Sequence, residues 1–243
     1  MQSLKKYLQN QQFNPGFLGI FINPFYIVRR ELYKAMRHFS EYISGKTLDV
    51  GCGHRPYEHL FSQSQKYIGL EYDSAVNRAR FSKIDAWYDG LHFPFNDSEF
   101  DSIIITQVLE HVFNPDTFLT EVARVTKPGG HVLLTVPFVW DEHEQPWDYA
   151  RYSSFGLIHL LKKHGFEIVE HLKTAPDTRV IFQLINCYIH KKLQWIRSYR
   201  VRLIFFTFFT FPFTLLGIIS SLILPSNSDL YMDNVVLAQK KKK

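Results

Sequence analysis

Thr47-Leu-Asp-Val-Gly-Cys-Gly53 is a short apolar run that stops in two glycines one residue apart. It reads as a strand that ends in a tight turn, because glycine takes backbone angles that other residues avoid and lets a ligand approach the chain. Asp49 stands two places before Gly51, and the next apolar run ends at Glu71, twenty residues after Gly51. An acid at the tip of a second strand is placed to take both hydroxyls of a ribose. The spacing points to a nucleoside-containing cofactor at the tips of the first two strands. A nicotinamide fingerprint wants a third glycine at position 56. That residue is Pro56, so a cofactor without a pyrophosphate fits better and a nicotinamide oxidoreductase is disfavoured.

Outward from this turn, short apolar runs alternate with helical ones. Strands are expected at Thr47–Val50, Tyr67–Glu71, Phe81–Ala86, Phe100–Thr106, His131–Val136 and Phe166–His171, with helices near Pro56–Gln63, Pro115–Thr126 and Ser153–His164. Such alternation implies βαβ units and a mainly parallel sheet. Asn114 and Pro115 suit the cap and first position of a helix, and Phe118, Leu119, Val122 and Val125 share one of its faces. Residues 1–45 read as a helical segment or lid, with a charged helix near Val28–Ser44.

The quoted run and its neighbours resemble the class I S-adenosylmethionine-dependent methyltransferases, in particular the type-11 methyltransferase domain. The resemblance covers about residues 45–172. It rests on LDVGCG (48–53), YIGLE (67–71), DGLHFPF (89–95) before FDSII (100–104), QVLEHV (107–112), RVTKPGGHVLLTVP (124–137) and HGFEIV (164–169), in that order. It implies a Rossmann-like α/β fold, a doubly wound seven-stranded sheet that is mostly parallel, with an antiparallel last strand, for which Asn234–Gln239 is the candidate. It also implies S-adenosyl-L-methionine as cofactor. Asp49, Gly51 and Gly53 would line its methionine end with Cys52 in the same turn, Glu71 would hold the ribose, Asp89 would meet the adenine amino group and Gln107 would lie beside the cofactor. Asp85 competes with Asp89 for the adenine. Where many relatives carry a third glycine, this chain has Arg55, which could face the cofactor carboxylate.

A methyl on a sulfonium is already activated, so the remaining tasks are alignment of an acceptor and removal of its proton. The loop after the fifth strand is dense in suitable groups. Phe138, Trp140, Trp147, Tyr149 and Tyr152 interleave with Asp141, His143, Asp148 and Arg151. His143 is the first candidate for the base and His111 the second, since a neutral imidazole is well poised near pH 7. Trp140, Asp148, Tyr149 and Arg151 are expected to bind the acceptor, and a stacking surface mixed with polar groups favours a sugar-bearing one. No metal is expected, because His143 and His111 lack a third ligand at clear spacing.

Charge and hydropathy add a membrane. Nearly half of the 243 residues are apolar, which excludes disorder, and two cysteines cannot make a disulfide framework. The net charge of +5 is unevenly spread: Thr178–Ser228 carries six basic residues and no acid. Without that segment and the final lysines the body is acidic, which does not suit nucleic acid. Leu203–Leu224 is uncharged over 22 residues with six phenylalanines and with Pro212 in its middle. As the last strand must return to the sheet, a hairpin bent at Pro212 that enters one leaflet is expected, with Arg197, Arg200 and Arg202 at headgroup level. A buried helix at a protomer interface and a true span are the alternatives. The division expected is 1–45, a methyltransferase core over 46–175, a basic and hydrophobic membrane-associating insertion over 176–228, and a last strand with lysine tail over 229–243. The chain is expected to be cytoplasmic, attached to the inner face of the membrane and without a signal peptide. Its acceptor would be a small molecule, glycan or lipid-linked compound. A non-catalytic membrane-docked scaffold is the rival reading.

Overall fold

A computed structural model describes residues 11–242, the side chains of Tyr199 and Arg200 excepted. The expectations for residues 1–10, the Arg200 side chain and Lys243 lie outside the described residues. The chain divides into two compact units: one of Met36–Phe138, Glu142–Leu172 and Asn234–Lys243, the other of Met1–Ala35, Val139–Asp141 and Lys173–Asp233.

The first unit is built on seven strands: β1 (Gly45–Val50), β2 (Ser64–Tyr72), β3 (Ala86–Tyr88), β4 (Phe100–Thr106), β5 (Thr126–Pro137), β6 (Phe166–Lys173) and β7 (Asp233–Lys240). Their order is β3-β2-β1-β4-β5-β7-β6, mostly parallel with an antiparallel last strand. Thr47, Leu48, Asp49 and Val50 pair with Tyr67, Ile68, Gly69 and Leu70 on one side and with Ser102, Ile103, Ile104 and Ile105 on the other. The order reverses between β1 and β4, and the ends of strands at such a switch point form the crevice of a doubly wound sheet.

The helices start where the capping chemistry puts them. Ahead of α4 (Pro115–Val125), the Asn114 side chain accepts from Thr117 N at 3.2 Å, and Phe118, Leu119, Val122 and Val125 are buried. Ser153 caps α5 (Ser154–Lys163), and Gly165 follows it at φ +83°.

Two expectations for this unit are corrected. The helix expected at Pro56–Gln63 is a single 3₁₀ turn, Glu58–Leu60. Tyr57 and Phe61 both turn into the core, so the connection is tied down by two aromatics rather than by a helical face. The third strand is Ala86–Tyr88 and not Phe81–Ala86. Phe81 instead closes α3 (Ala75–Arg80), its N–H donating to Asn77 O, and Asp85 is drawn to the backbone of Gly69.

The second unit holds α1 (Gly19–Ile22), the first ten residues of α2 (Tyr26–His38), α6 (Arg179–Leu193) and α7 (Tyr199–Ile223). The pairs Thr178–Ser220, Asn186–Thr214 and His190–Phe206 show that α6 and α7 run antiparallel. The hairpin is therefore α6 with α7. The chain reversal expected at Pro212 is absent: α7 runs through it as one helix. Loss of one N–H weakens a helix, but here α7 packs along α6, and Gly217 brings the backbones close enough that a Cβ there would lie 3.1 Å from Phe182 Cβ. The inward stripe of α7 is Phe206, Thr210 and Thr214, whereas Ile204, Phe208, Leu222 and Ile223 are exposed, Phe208 by 73%.

Candidate active site

At the end of β1, Gly51 and Gly53 take φ of +66° and +51°. A side chain at Gly51 would also run into Val108, just past β4, so this turn has room only for glycine. Gly51 N and Cys52 N both donate to Leu70 O, at 2.8 and 3.2 Å. Gly53 N donates to Glu71 Oε2 at 3.0 Å, and Glu71 Oε1 accepts from Tyr72 N and Asn77 Nδ2. The carboxylate of Glu71 is thus set at the tip of β2 beside the glycine turn. Burial raises its pKa, opposed by the amides of Gly53 and Tyr72. These features fit a nucleoside cofactor, whose ribose needs two acceptors at that tip.

Asp49 is buried on β1, and Tyr67 Oη donates to its Oδ2 at 2.7 Å. Burial pushes the Asp49 carboxyl up to about 7, against the pull of Tyr67 and Arg55. Cys52 is likewise pushed up to about 12 by burial, so it is no nucleophile. Arg55, which follows the turn, stands at φ +53°. Its guanidinium is bound to Asp85, whose Oδ2 also accepts from Gly69 N at 2.8 Å. Of the two acids considered for adenine, Asp85 is thus committed to β2 and Arg55. Asp89 follows β3 directly and is exposed, with Oδ1 accepting from Leu91 N and His92 N. Gln107 sits at φ +56° just past β4 and is fastened to β5, with its backbone N and its Nε2 both 3.2 Å from Thr135 Oγ1.

The loops after β4 and β5 meet through two histidines. The rings of His111 and His143 lie 4.8 Å apart, edge to face. His111 Nδ1 is 2.7 Å from Trp147 O. A carbonyl only accepts, so Nδ1 carries the proton and Nε2 the lone pair. Asp148 Oδ2 accepts from His143 N at 2.9 Å and lies 3.3 Å from His143 Nδ1. Asp148 itself is clasped by both terminal nitrogens of Arg151, at 2.6 and 2.7 Å. Although burial raises its pKa, Arg151 holds Asp148 at about 2, fully ionised beside the imidazole. Asp148 and Arg151 therefore engage each other and orient His143. Tyr149 is half exposed, with its N–H donating to Glu110 O at 2.8 Å. Trp140 belongs to the other unit, where it packs against Phe25 at 5.7 Å between ring centroids.

The sequence reading missed Glu110, Tyr67, Thr135 and Asn77. Glu110 had a signal, being next to His111 within the same motif. It is fully buried, and one ligating atom each from Glu110, His111 and His143 fall within 4.8 Å of one another. The third group that the two histidines lacked in sequence is thus present in space. Ligand atoms around a tetrahedral ion at ~2.1 Å stand roughly 3.4 Å apart, so the trio is looser than an occupied site.

A family model described as a methyltransferase domain matches residues 28–171. A protein of Mycolicibacterium smegmatis named Probable S-adenosylmethionine-dependent methyltransferase is 30% identical over 136 residues, 51% of this chain and 53% of that one. The chain spans about half the length of the first curated relatives it matches. Among solved structures, the [4+2]-cyclase SpnF superposes with a TM-score of 0.57 at 19% identity, covering 88% of this chain and 82% of that one. Phosphoethanolamine N-methyltransferase 2 of Haemonchus contortus, solved with S-adenosyl-L-methionine, gives 0.55 at 16%, covering 96% and 59%. The structural likenesses establish the fold, and the family match carries the assignment: this chain belongs to the S-adenosylmethionine-dependent methyltransferases.

Proposed function

We propose that the protein transfers a methyl group from S-adenosyl-L-methionine to a small-molecule, glycan or lipid-linked acceptor at the inner, cytoplasmic face of a membrane. The observation that carries the reading is the pairing of Gly53 N with Glu71 at the tips of β1 and β2. The cofactor supplies an activated methyl on a sulfonium. The chain's own groups hold it, align the acceptor and take up a proton. Glu71 receives the ribose hydroxyls, Asp89 the adenine amino group, and Asp49 and the glycine turn face the methionine end.

His143 is the base, and Asp148 stabilises the imidazolium that forms, in the manner of a carboxylate–histidine pair. His111 is the alternative base. Its Trp147-bound Nδ1 leaves Nε2 as the accepting nitrogen, 3.9 Å from Glu110 Oε1. Tyr149 offers an exposed ring for stacking on a sugar or similar face. Asp148 and Arg151 act on the acceptor through His143.

Membrane attachment is supported by α7. Val201–Ile223 is long and apolar enough to cross a bilayer, with a mean hydropathy of 2.0, and only 22% of that window is buried. Thr210 and Thr214 are buried while Phe205, Phe208 and Phe209 are exposed, the reverse of a water-soluble helix. Because β7 follows in the sheet, one crossing would put β7 on the wrong side. We therefore place α7 in the interface of one leaflet, with Lys191, Lys192, Arg197 and Arg202 toward the headgroups.

Calorimetric titration with S-adenosylhomocysteine tests the cofactor site. Saturable binding that Glu71→Ala weakens about tenfold or more is expected; binding that ignores the substitution refutes the assignment. Radiolabelled methyl transfer into fractionated membranes tests the acceptor. Label in glycolipid supports the reading, and label confined to soluble protein refutes it.

A further inference from the structure

The second unit contains a cavity of about 620 Å³ near the turn of the helical hairpin, where α6 ends and α7 begins. Arg29 of α2, Arg202 of α7 and His190 of α6 line it together with Phe13, Phe25 and Phe206, and none of its lining residues is acidic. Among the described residues Arg29 and Arg202 make no ion pair. Arg29 lies over the Phe13 ring at 4.9 Å, and the nearby Asp141 is taken by Lys191 at 3.0 Å. The His190 ring stacks on Phe206 at 5.0 Å and meets the edge of Phe25 at 4.6 Å, which fixes an aromatic wall beside the two cations.

Two guanidiniums facing one concave space without a carboxylate leave a positive field that only an anion relieves. Guanidinium is also the side chain whose geometry matches phosphate oxygens. The cavity is not a plain anion site, however. Leu203 and Phe206 carry its wall onto α7, where exposed Phe209, Leu216 and Ile223 follow Arg202 at seven-residue spacing along the same side of the helix. A ligand with a phosphate head and a long apolar tail would satisfy both halves at once.

We infer that this cavity binds the headgroup of a phosphate-bearing lipid between Arg29 and Arg202, with the lipid tail lying along α7. The inference deepens the membrane reading given above and rests on it for its purpose, since a lipid held there anchors the chain or presents the acceptor.

The test is calorimetry on the full chain with dihexanoyl phosphatidic acid below its micellar concentration, beside dihexanoyl phosphatidylcholine and inorganic phosphate. Phosphatidic acid should bind saturably. The other two should bind about tenfold more weakly or worse, and Arg29→Gln and Arg202→Gln should each weaken phosphatidic acid about tenfold. Circular dichroism and S-adenosylhomocysteine binding of both variants control for folding. Variants that bind phosphatidic acid as well as wild type overturn the inference. So does inorganic phosphate binding as tightly as the lipid, which marks a soluble-anion site, or phosphatidylcholine doing so, which marks an apolar slot. Wild type that binds S-adenosylhomocysteine and no lipid removes the lipid site and leaves methyl transfer standing. Lipid binding without S-adenosylhomocysteine binding does the reverse.

Discussion

Tyr67 donates a 2.7 Å hydrogen bond to Asp49 across the β1–β2 pair, beside the Gly51–Gly53 turn. Burial raises the Asp49 carboxyl to about 7, and Tyr67 restrains the rise. The folded state therefore binds a proton more tightly than the unfolded chain does. This group's contribution to stability is fully present below its ordinary value near 3.8 and is lost as pH rises to about 7. With Asp49 facing the methionine end as proposed, the positive charge there favours its ionised form. Affinity for S-adenosyl-L-methionine should thus climb by up to tenfold per pH unit below 7 and level off above it. Asp49→Asn should flatten the profile, and Tyr67→Phe should move its midpoint upward. Titrations from pH 5.5 to 8.5 with all three proteins check this, and a flat wild-type profile refutes it.

Gly51 has two reasons to be glycine: its φ of +66° and the Val108 side chain over it. Gly51→Ala should cost about 2 kcal/mol or more of stability. Adding Val108→Ala should recover only the steric share, because the backbone angle is still unfavourable. Chemical denaturation of the single and double variants separates the two contributions.

The parts of the fold that were legible in sequence are those where one local feature decides the conformation. Gly51 and Gly53 end β1, Asn114 and Ser153 start helices, and the strand ending at Glu71 brings its acid to the tip of the sheet. The parts misread are those where distant packing decides. Tyr57 and Phe61 tie down the stretch expected to be a helix, and Asp85 is held by Gly69 and Arg55 just ahead of β3, which begins only at Ala86. Pro212 predicts a bend from its chemistry alone, yet α7 stays straight enough to lie along α6, a contact no local pattern contains. In the site, His111 and His143 stand out as residue types. Their orientation by Trp147 O and Asp148, and the approach of Glu110, depend on two loops meeting.

Asp148 should matter to turnover and not to cofactor binding. It lies 3.3 Å from His143 Nδ1 and is held ionised at about 2 by Arg151. Asp148→Asn keeps the shape but removes the charge proposed to stabilise a His143 imidazolium, so kcat should fall about 100-fold or more. Affinity for S-adenosylhomocysteine should stay within about twofold, since the residues proposed to hold the cofactor lie on other elements. Arg151→Lys should give a smaller loss, because one ammonium cannot reproduce the two-pronged clasp. Equal losses of kcat and of cofactor affinity would mean that the loop is structural support and that the base lies elsewhere.

Asn186 and Thr214 supply a separate test of the α6–α7 hairpin, because their 2.9 Å hydrogen bond lies in a fully buried setting. Thr214 Oγ1 also donates to Thr210 O at 3.2 Å. Asn186→Leu leaves that second bond intact, so its cost should be modest. Thr214→Val leaves the Asn186 amide buried without its acceptor and should cost about 2 kcal/mol. The double variant Asn186→Leu/Thr214→Val removes both polar groups and should be more stable than Thr214→Val alone. Urea unfolding in the presence and absence of anionic vesicles reads both the penalty and its context. A penalty that is additive in the double variant would show that the two residues act independently and that the hairpin is held by apolar packing alone.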